Sequence, residues 1–206
     1  MSKVVIQGNA SGTGNFTIAA PNSNTDRTLT LPDVAGTVLT SGSNADFPTG
    51  SVLQVAQASA TGEFTSSSTS FVDTGLITVS FPNNIQSGNK VLVQIEASIS
   101  EAYSGSWAAP IYLTAYCTSQ SANIGDATTG IVGGNAVANA QGYTNNQYDI
   151  DRLYGSLLYT PTVTNPTLKL YMRSILAFNR TIGSANNASS TYDVGGTRMT
   201  IMEIAA

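Results

Sequence analysis

The run Val91-Leu92-Val93-Gln94-Ile95-Glu96-Ala97-Ser98-Ile99 gives the clearest period-two pattern in the chain. Val91, Val93, Ile95, Ala97 and Ile99 fall on one face, and Gln94, Glu96 and Ser98 on the other. Successive side chains of a strand point to opposite sides, so this is the pattern of a half-buried β-strand. Other segments of the same kind lie on both sides of it. Val52–Ala56 reads as one strand. Phe71–Val72 and Leu76–Phe81 follow, with Asp73-Thr74-Gly75 as a turn between them. Ile111–Cys117, Arg152–Tyr159, Thr167–Leu176, a short piece near Asn179–Ile182 and Met199–Ile204 complete the set, with a weak strand at Gly130–Val132. In Thr167–Leu176 the residues Leu168, Leu170, Met172 and Leu176 oppose Lys169, Tyr171, Arg173 and Ile175. No stretch of convincing length carries a helical period. About eight or nine short strands in roughly 155 residues, punctuated by Gly, Pro and Asn turns, fit an all-β antiparallel sandwich of jelly-roll type.

Four positions on the outward side of these strands are apolar or aromatic: Tyr112, Tyr116, Tyr171 and Ile175. A lone sandwich would leave them wet. A three-fold assembly would bury them between subunits, so a homotrimer is expected.

Composition narrows the function. Charged residues make up 10% of the 206-residue chain, against about 25% in ordinary globular proteins. The net charge is −4 and the isoelectric point about 4.5. The eight basic residues are scattered. Phosphate backbones need clustered cations, so no nucleic-acid partner is expected. No apolar run approaches the ~18 residues of a membrane span. The opening Met1–Gln7 lacks the apolar core of a secretory leader. The single cysteine, Cys117, lies within an apolar strand and reads as a small buried hydrophobe.

There is no histidine. Triads that use an imidazole and histidine metal sites are therefore excluded. No phosphate-binding loop occurs. Asp149-Ile150-Asp151 is the one close acidic pair, and two carboxylates on one strand face are compatible with glycosidase spacing or, with Asn145 or Asn146, with calcium. A solvated pair next to Arg152 is the commoner arrangement, so no catalytic residues, metal or cofactor are expected. Two loops are better candidates. Glu101-Ala102-Tyr103-Ser104-Gly105-Ser106-Trp107 joins an aromatic group to a carboxylate, a pairing that stacks on a sugar ring and accepts its hydroxyl hydrogen bonds. A loop whose Trp107 caps the core or a subunit contact would look the same. Gly142-Tyr143-Thr144-Asn145-Asn146-Gln147-Tyr148 has the composition of adaptable polar binding surfaces, or of a Tyr-rich subunit contact. Glu101, Tyr103, Trp107, Tyr143, Asn145, Asn146 and Tyr148 are thus the candidate glycan- or partner-binding residues.

Residues 1–46 form a separate appendage, joined to residues 47–206 through Ser41-Gly42-Ser43-Asn44-Ala45-Asp46-Phe47-Pro48. Three short alternating runs, Phe16–Ala20, Arg27–Leu31 and Thr37–Thr40, are separated by Pro- and Asn-rich turns. They are too poor in apolar bulk to make a core alone. Phe16, Ile18, Leu29, Leu31 and Val38 need a partner surface and are the candidate assembly residues.

The run Ala19-Ala20-Pro21-Asn22 … Arg27-Thr28-Leu29-Thr30-Leu31-Pro32-Asp33 … Gly36-Thr37 resembles the N-terminal segment of bacteriophage tail-fibre and virion structural proteins, especially of aquatic and cyanobacterial phages. Gly50–Val55, Ser70–Leu76 and Met199–Ala205 resemble, more loosely, the C-terminal β-sandwich of such fibres. The resemblance implies a virion component with no active site. Its appendage would attach to other virion proteins, and its trimeric head would contact host-surface polysaccharide. A capsid decoration protein is the alternative, and a glycan-degrading enzyme using Asp149, Asp151 or Glu101 a further one.

Overall fold

A computed structural model of the chain describes residues 8, 10–15, 17–19, 22–26, 28, 30, 33, 35, 47–101, 110–135, 149–177, 180–183 and 196–206. The chain divides into two units, residues 1–38 and 39–206. In the first, the described residues are exposed and none of them is in a strand. Ile18, a candidate assembly residue, is 74% exposed. The Ser23 hydroxyl accepts from the Thr25 amide at 3.2 Å, a local turn at the Asn-rich stretch. Phe16, Leu29, Leu31 and Val38 lie outside the described residues.

The second unit is all-β. Its strands are β1 (Val52–Ala60), β2 (Phe64–Ser66), β3 (Val72–Ser80), β4 (Lys90–Glu101), β5 (Pro110–Cys117), β6 (Ala122–Ile124), β7 (Val132–Asn135), β8 (Asp149–Tyr159), β9 (Thr167–Ser174), β10 (Arg180–Ile182) and β11 (Thr197–Ile204). One sheet runs β1-β11-β4-β10-β2 with β8 on the other edge of β4, and the second runs β3-β9-β5-β6 with β7 also on β5. All pairings are antiparallel. β10 and β11 lie end to end along β4, β2 continues β1, and β6 and β7 lie end to end along β5. The eleven strands therefore fill eight columns. In chain order these are arranged 1-8-3-6 in the first sheet and 2-7-4-5 in the second. Two four-stranded sheets in that order make a jelly roll.

The alternation of residues 91–99 is realised in β4. Val91, Val93, Ile95, Ala97 and Ile99 are fully buried. From the facing sheet come Ile111, Leu113, Ala115, Leu168, Leu170 and Met172, also fully buried. Cys117 is buried and unpaired, as a small hydrophobe. Burying each large aliphatic contributes about 1.5–3 kcal/mol. Gly155, opposite Ile95 on β8, lets the two sheets close at their edge. A Cβ there would come within 2.4 Å of the Val132 Cβ on β7.

Three expectations change. Asp73-Thr74-Gly75 does not separate two strands; it is an irregularity inside β3, where the register to β9 shifts between Asp73 and Thr78. Gly75 takes φ 66°, the Asp73 Oδ1 accepts its N–H at 2.9 Å, and buried Thr74 donates to the Leu170 carbonyl at 2.8 Å. Turn chemistry makes a bulge when both flanks still pair with one neighbour. β9 ends at Ser174, because the Ser174 amide leaves the ladder for the Ser68 carbonyl and its hydroxyl donates to the Leu176 carbonyl. Ser174 takes the inward position, and Leu176 is exposed rather than in the core. Gly130 bridges to Asp126, and β7 starts two residues later. Strands β2 and β6, three residues each, are too short for their own periodicity to reveal.

Glu203 is the buried charge of the core edge. Its Oε2 accepts from Gln54 Nε2 at 2.6 Å, and its Oε1 from the Gln86 amide at 2.9 Å and Asn89 Nδ2 at 2.7 Å. Asn89 Oδ1 in turn accepts from the Ala206 amide. One carboxylate thus ties β1, the loop before β4 and the end of β11 together, with its acceptor capacity met by neutral donors.

Candidate functional site

Sequence reasoning placed the site on two loops. Tyr103, Trp107, Tyr143, Asn145, Asn146 and Tyr148 lie outside the described residues, and of Glu101 only the backbone is described. The strands that anchor those loops are clear. Glu101, the last residue of β4, pairs with Asp149, the first of β8. Pro110, the first of β5, pairs with Asn135, the last of β7. Segments 102–109 and 136–148 therefore begin and end at the same end of the jelly roll. Ser174 and Ile175 reach that end too, through Ser174 N–H to the Ser68 carbonyl and Ile175 N–H to the Pro110 carbonyl.

The outer face of the second sheet carries a set of rings that the alternation indicated in part. One row includes Arg173 on β9, Tyr112 on β5 and Gly133 on β7, adjacent in register and two residues from the Pro110–Asn135 pair. Arg173 lies over the Phe71 ring at 5.7 Å and the Tyr112 ring at 5.4 Å. The Tyr112 ring occupies the space a side chain at 133 would need, with ring atoms 2.1 and 2.2 Å from a Cβ built there. Further along the face, Tyr116 and Tyr171 stack with centroids 4.6 Å apart and planes 11° from parallel. Lys169 Nζ meets Asp73 Oδ2 at 2.7 Å. These contacts correct the expectation that Tyr112, Tyr116 and Tyr171 stay wet until a trimer covers them. Each is half-buried by its neighbours within one chain. Of the four outward positions, Ile175 alone is exposed.

The charges on this face are set by their partners. Burial works to raise the Asp73 carboxyl, but the hydrogen bonds from Lys169 and the Gly75 amide, with the Lys169 charge, hold it below its ordinary value. Lys169 is raised by the same hydrogen bond and charge. Burial raises the Tyr171 hydroxyl, helped by the Asp73 charge. Asp126 is lowered by the amides of Thr129 and Thr128 and the Thr129 hydroxyl, all on its Oδ1, with a smaller contribution from Arg173.

The outer face of the first sheet has another character. Val55 pairs with Met202, Met202 with Leu92, and Leu92 with Leu158. These four apolar residues form one straight row across β1, β11, β4 and β8. Val52 and Ile204 extend it at one edge. Val55 is 52% exposed, Leu158 47% and Val52 53%. The next row is Gln57, Thr200, Gln94 and Ser156. Beyond it Glu96 lies against Arg152 at 2.6 Å and Arg198 at 3.9 Å. Tyr154, 63% exposed, accepts from Gln94 Nε2. Sequence reading missed this apolar row. Its members come from four separate segments, and only Leu92 lies in the alternating stretch first singled out.

The sequence matches no protein family model and no curated protein. Among solved structures, a xylan-binding CBM22-1 domain of Paenibacillus barcinonensis Xyn10C is 10% identical, with a TM-score of 0.30, over 77% of this chain and 97% of that one. A structure of infectious bursal disease virus, Gx strain, is 12% identical with a TM-score of 0.30, over 84% of this chain and 47% of the viral one. The VP2 subviral particle of the same virus is 15% identical with a TM-score of 0.27, over 74% and 38%. The chain spans less than half the length of those viral chains. Likenesses this loose say nothing about what the chain does.

Proposed function

We propose that this chain is a structural component of a phage-type virus particle, a tail-fibre-like protein that works as a homotrimer without catalysis. The observation that carries the reading is the bare apolar row Val55–Met202–Leu92–Leu158. An ordinary antiparallel sandwich turns polar side chains outward, and a contiguous apolar row marks a surface that another surface covers. We assign a second copy of the chain as that cover. The adjacent row is neutral and the one beyond it carries both signs of charge, with Glu96 between Arg152 and Arg198, so a like surface can approach without uniform repulsion. Residues 1–46 supply the attachment to other virion proteins, in keeping with their resemblance to fibre N-terminal segments. Several described carboxylates are engaged structurally, which supports a non-catalytic role. Asp73 is held by Lys169, Glu96 by arginines, Asp126 by its own loop and Glu203 by three donors.

Light scattering after size exclusion tests this on the full chain. The unaltered protein is expected to run as a trimer at micromolar concentration, and Leu92→Asp with Leu158→Asp as a folded monomer. A monodisperse monomer of the unaltered chain would defeat the proposal.

A further inference from the structure

We propose that Arg173 is the centre of a binding site for an anionic saccharide, with its guanidinium receiving the oxyanion of a carboxylated or sulfated sugar. Among the described residues, the sheet cations Arg152, Arg198 and Lys169 each lie against a carboxylate, while Lys90, at the start of β4, is exposed. Arg173 lies over two aromatic rings, Phe71 and Tyr112, with Asp126 near enough for the Arg173 charge to add to its lowering. Its Nε is buried with no hydrogen-bond partner. Ring faces thus hold the planar fork in place without using its donors. That is the preparation a bidentate oxyanion contact requires, since the group is oriented before the ligand arrives. The nearby carboxylate takes its hydrogen bonds from its own loop. Asp126 accepts all three of its hydrogen bonds on Oδ1 from Thr128 and Thr129.

The ligand is a saccharide rather than a bare anion because of what continues along the face. Tyr171 is two residues from Arg173 on β9 and stacks on Tyr116. An extended chain of sugars anchored at Arg173 would run over these rings and hydroxyls, groups that combine an apolar body with a polar tip. The row also lies next to the end from which segments 102–109 and 136–148 leave. With a net charge of −4 the protein repels polyanions as a whole, so binding has to come from a local cation and to weaken with salt. The site does not rest on the assembly reading. A monomer that binds and a trimer that does not are distinct results.

The test is affinity electrophoresis and calorimetry of the full chain at low salt with polygalacturonate, dextran sulfate and neutral dextran. Binding is expected to at least one polyanion and not to dextran, and the polymer that binds identifies the oxyanion. Arg173→Gln is expected to weaken it by roughly tenfold or more, the loss of a charge-assisted hydrogen bond. Arg173→Lys recovers it only in part, since a point charge lacks the fork. Arg198→Gln leaves it unchanged. If Arg173→Gln does not fold, phenylglyoxal labelling of the unaltered protein reads the same site. The bound polyanion should slow modification of Arg173 and dextran should not. No binding to either polyanion, equal binding by a folded Arg173→Gln, equal loss in Arg198→Gln, or unprotected Arg173 would each overturn the site.

Discussion

The two outer faces of this jelly roll come from the same alternation and end differently. On the second sheet, outward aromatic residues cover one another: Tyr116 stacks on Tyr171, and Arg173 lies over Phe71 and Tyr112. On the first sheet, outward aliphatic residues lie side by side and remain open to solvent at both ends of the row, at Val55 and Leu158. Flat rings and a long cation can fold down and bury each other on one surface. Branched aliphatic side chains stand up from the pleat and need a surface from outside. Apolar outward residues therefore divide into those closed within the chain and those left for a partner.

The largest expected effect comes from what the two faces share. Ile95→Ala under the first sheet and Leu170→Ala under the second should each cost about 2–5 kcal/mol, measured by urea unfolding. Both residues are fully buried in one core, so a large gap between them would mean the sheets are not equally supported. A smaller effect separates the faces. Tyr171→Ala should destabilise the isolated chain by about 1–2 kcal/mol through loss of its stack and burial. Leu158→Ala should cost it under about 0.5 kcal/mol, as an exposed substitution does, and act on association instead. If Leu158→Ala destabilises as much as Tyr171→Ala, the row is covered within the chain and the contrast fails.

The smallest effect is the pH dependence of the Asp73–Lys169 pair. Asp73 is held below its ordinary value, so its contribution is present above about pH 3.9 and is lost as pH falls through the lowered value. Lys169 is held above its ordinary value, so its contribution is complete below about pH 10.4 and is lost as pH rises through the raised value. The urea midpoint of Asp73→Asn should lie slightly below that of the unaltered chain at neutral pH and merge with it in strong acid. A gap that persists in acid would show that the Gly75 turn, not the ion pair, accounts for it.

Much of the architecture was legible. The inward residues of β4, β5 and β9 follow directly from a period of two, and Cys117 read as a small core residue is buried. The bulge in β3 was not. Asp73, Thr74 and Gly75 carry turn signals, and whether a turn reverses a chain or only interrupts a strand depends on where the flanks pair. The end of β9 was overrun because Leu176 continues the alternation, while Ser68 takes up the Ser174 amide from elsewhere in the sequence. The candidate site was legible only as residue types. Tyr112, Tyr116 and Tyr171 stood out as outward aromatics, but nothing in the chain order says that Phe71 and Arg173 meet.

By itself the sequence determined an all-β sandwich, the faces of its main strands, and a surface with few charges and no imidazole chemistry. Those properties are local: they follow from side-chain period and residue type within a strand. Tertiary structure alone decided which outward residues cover each other and which stay bare. That depends on cross-strand register, which brings together Val55, Leu92, Leu158 and Met202, or Phe71, Tyr112 and Arg173, from distant segments. A shift of one residue in any pairing would break either row, and only the folded sheet sets that pairing.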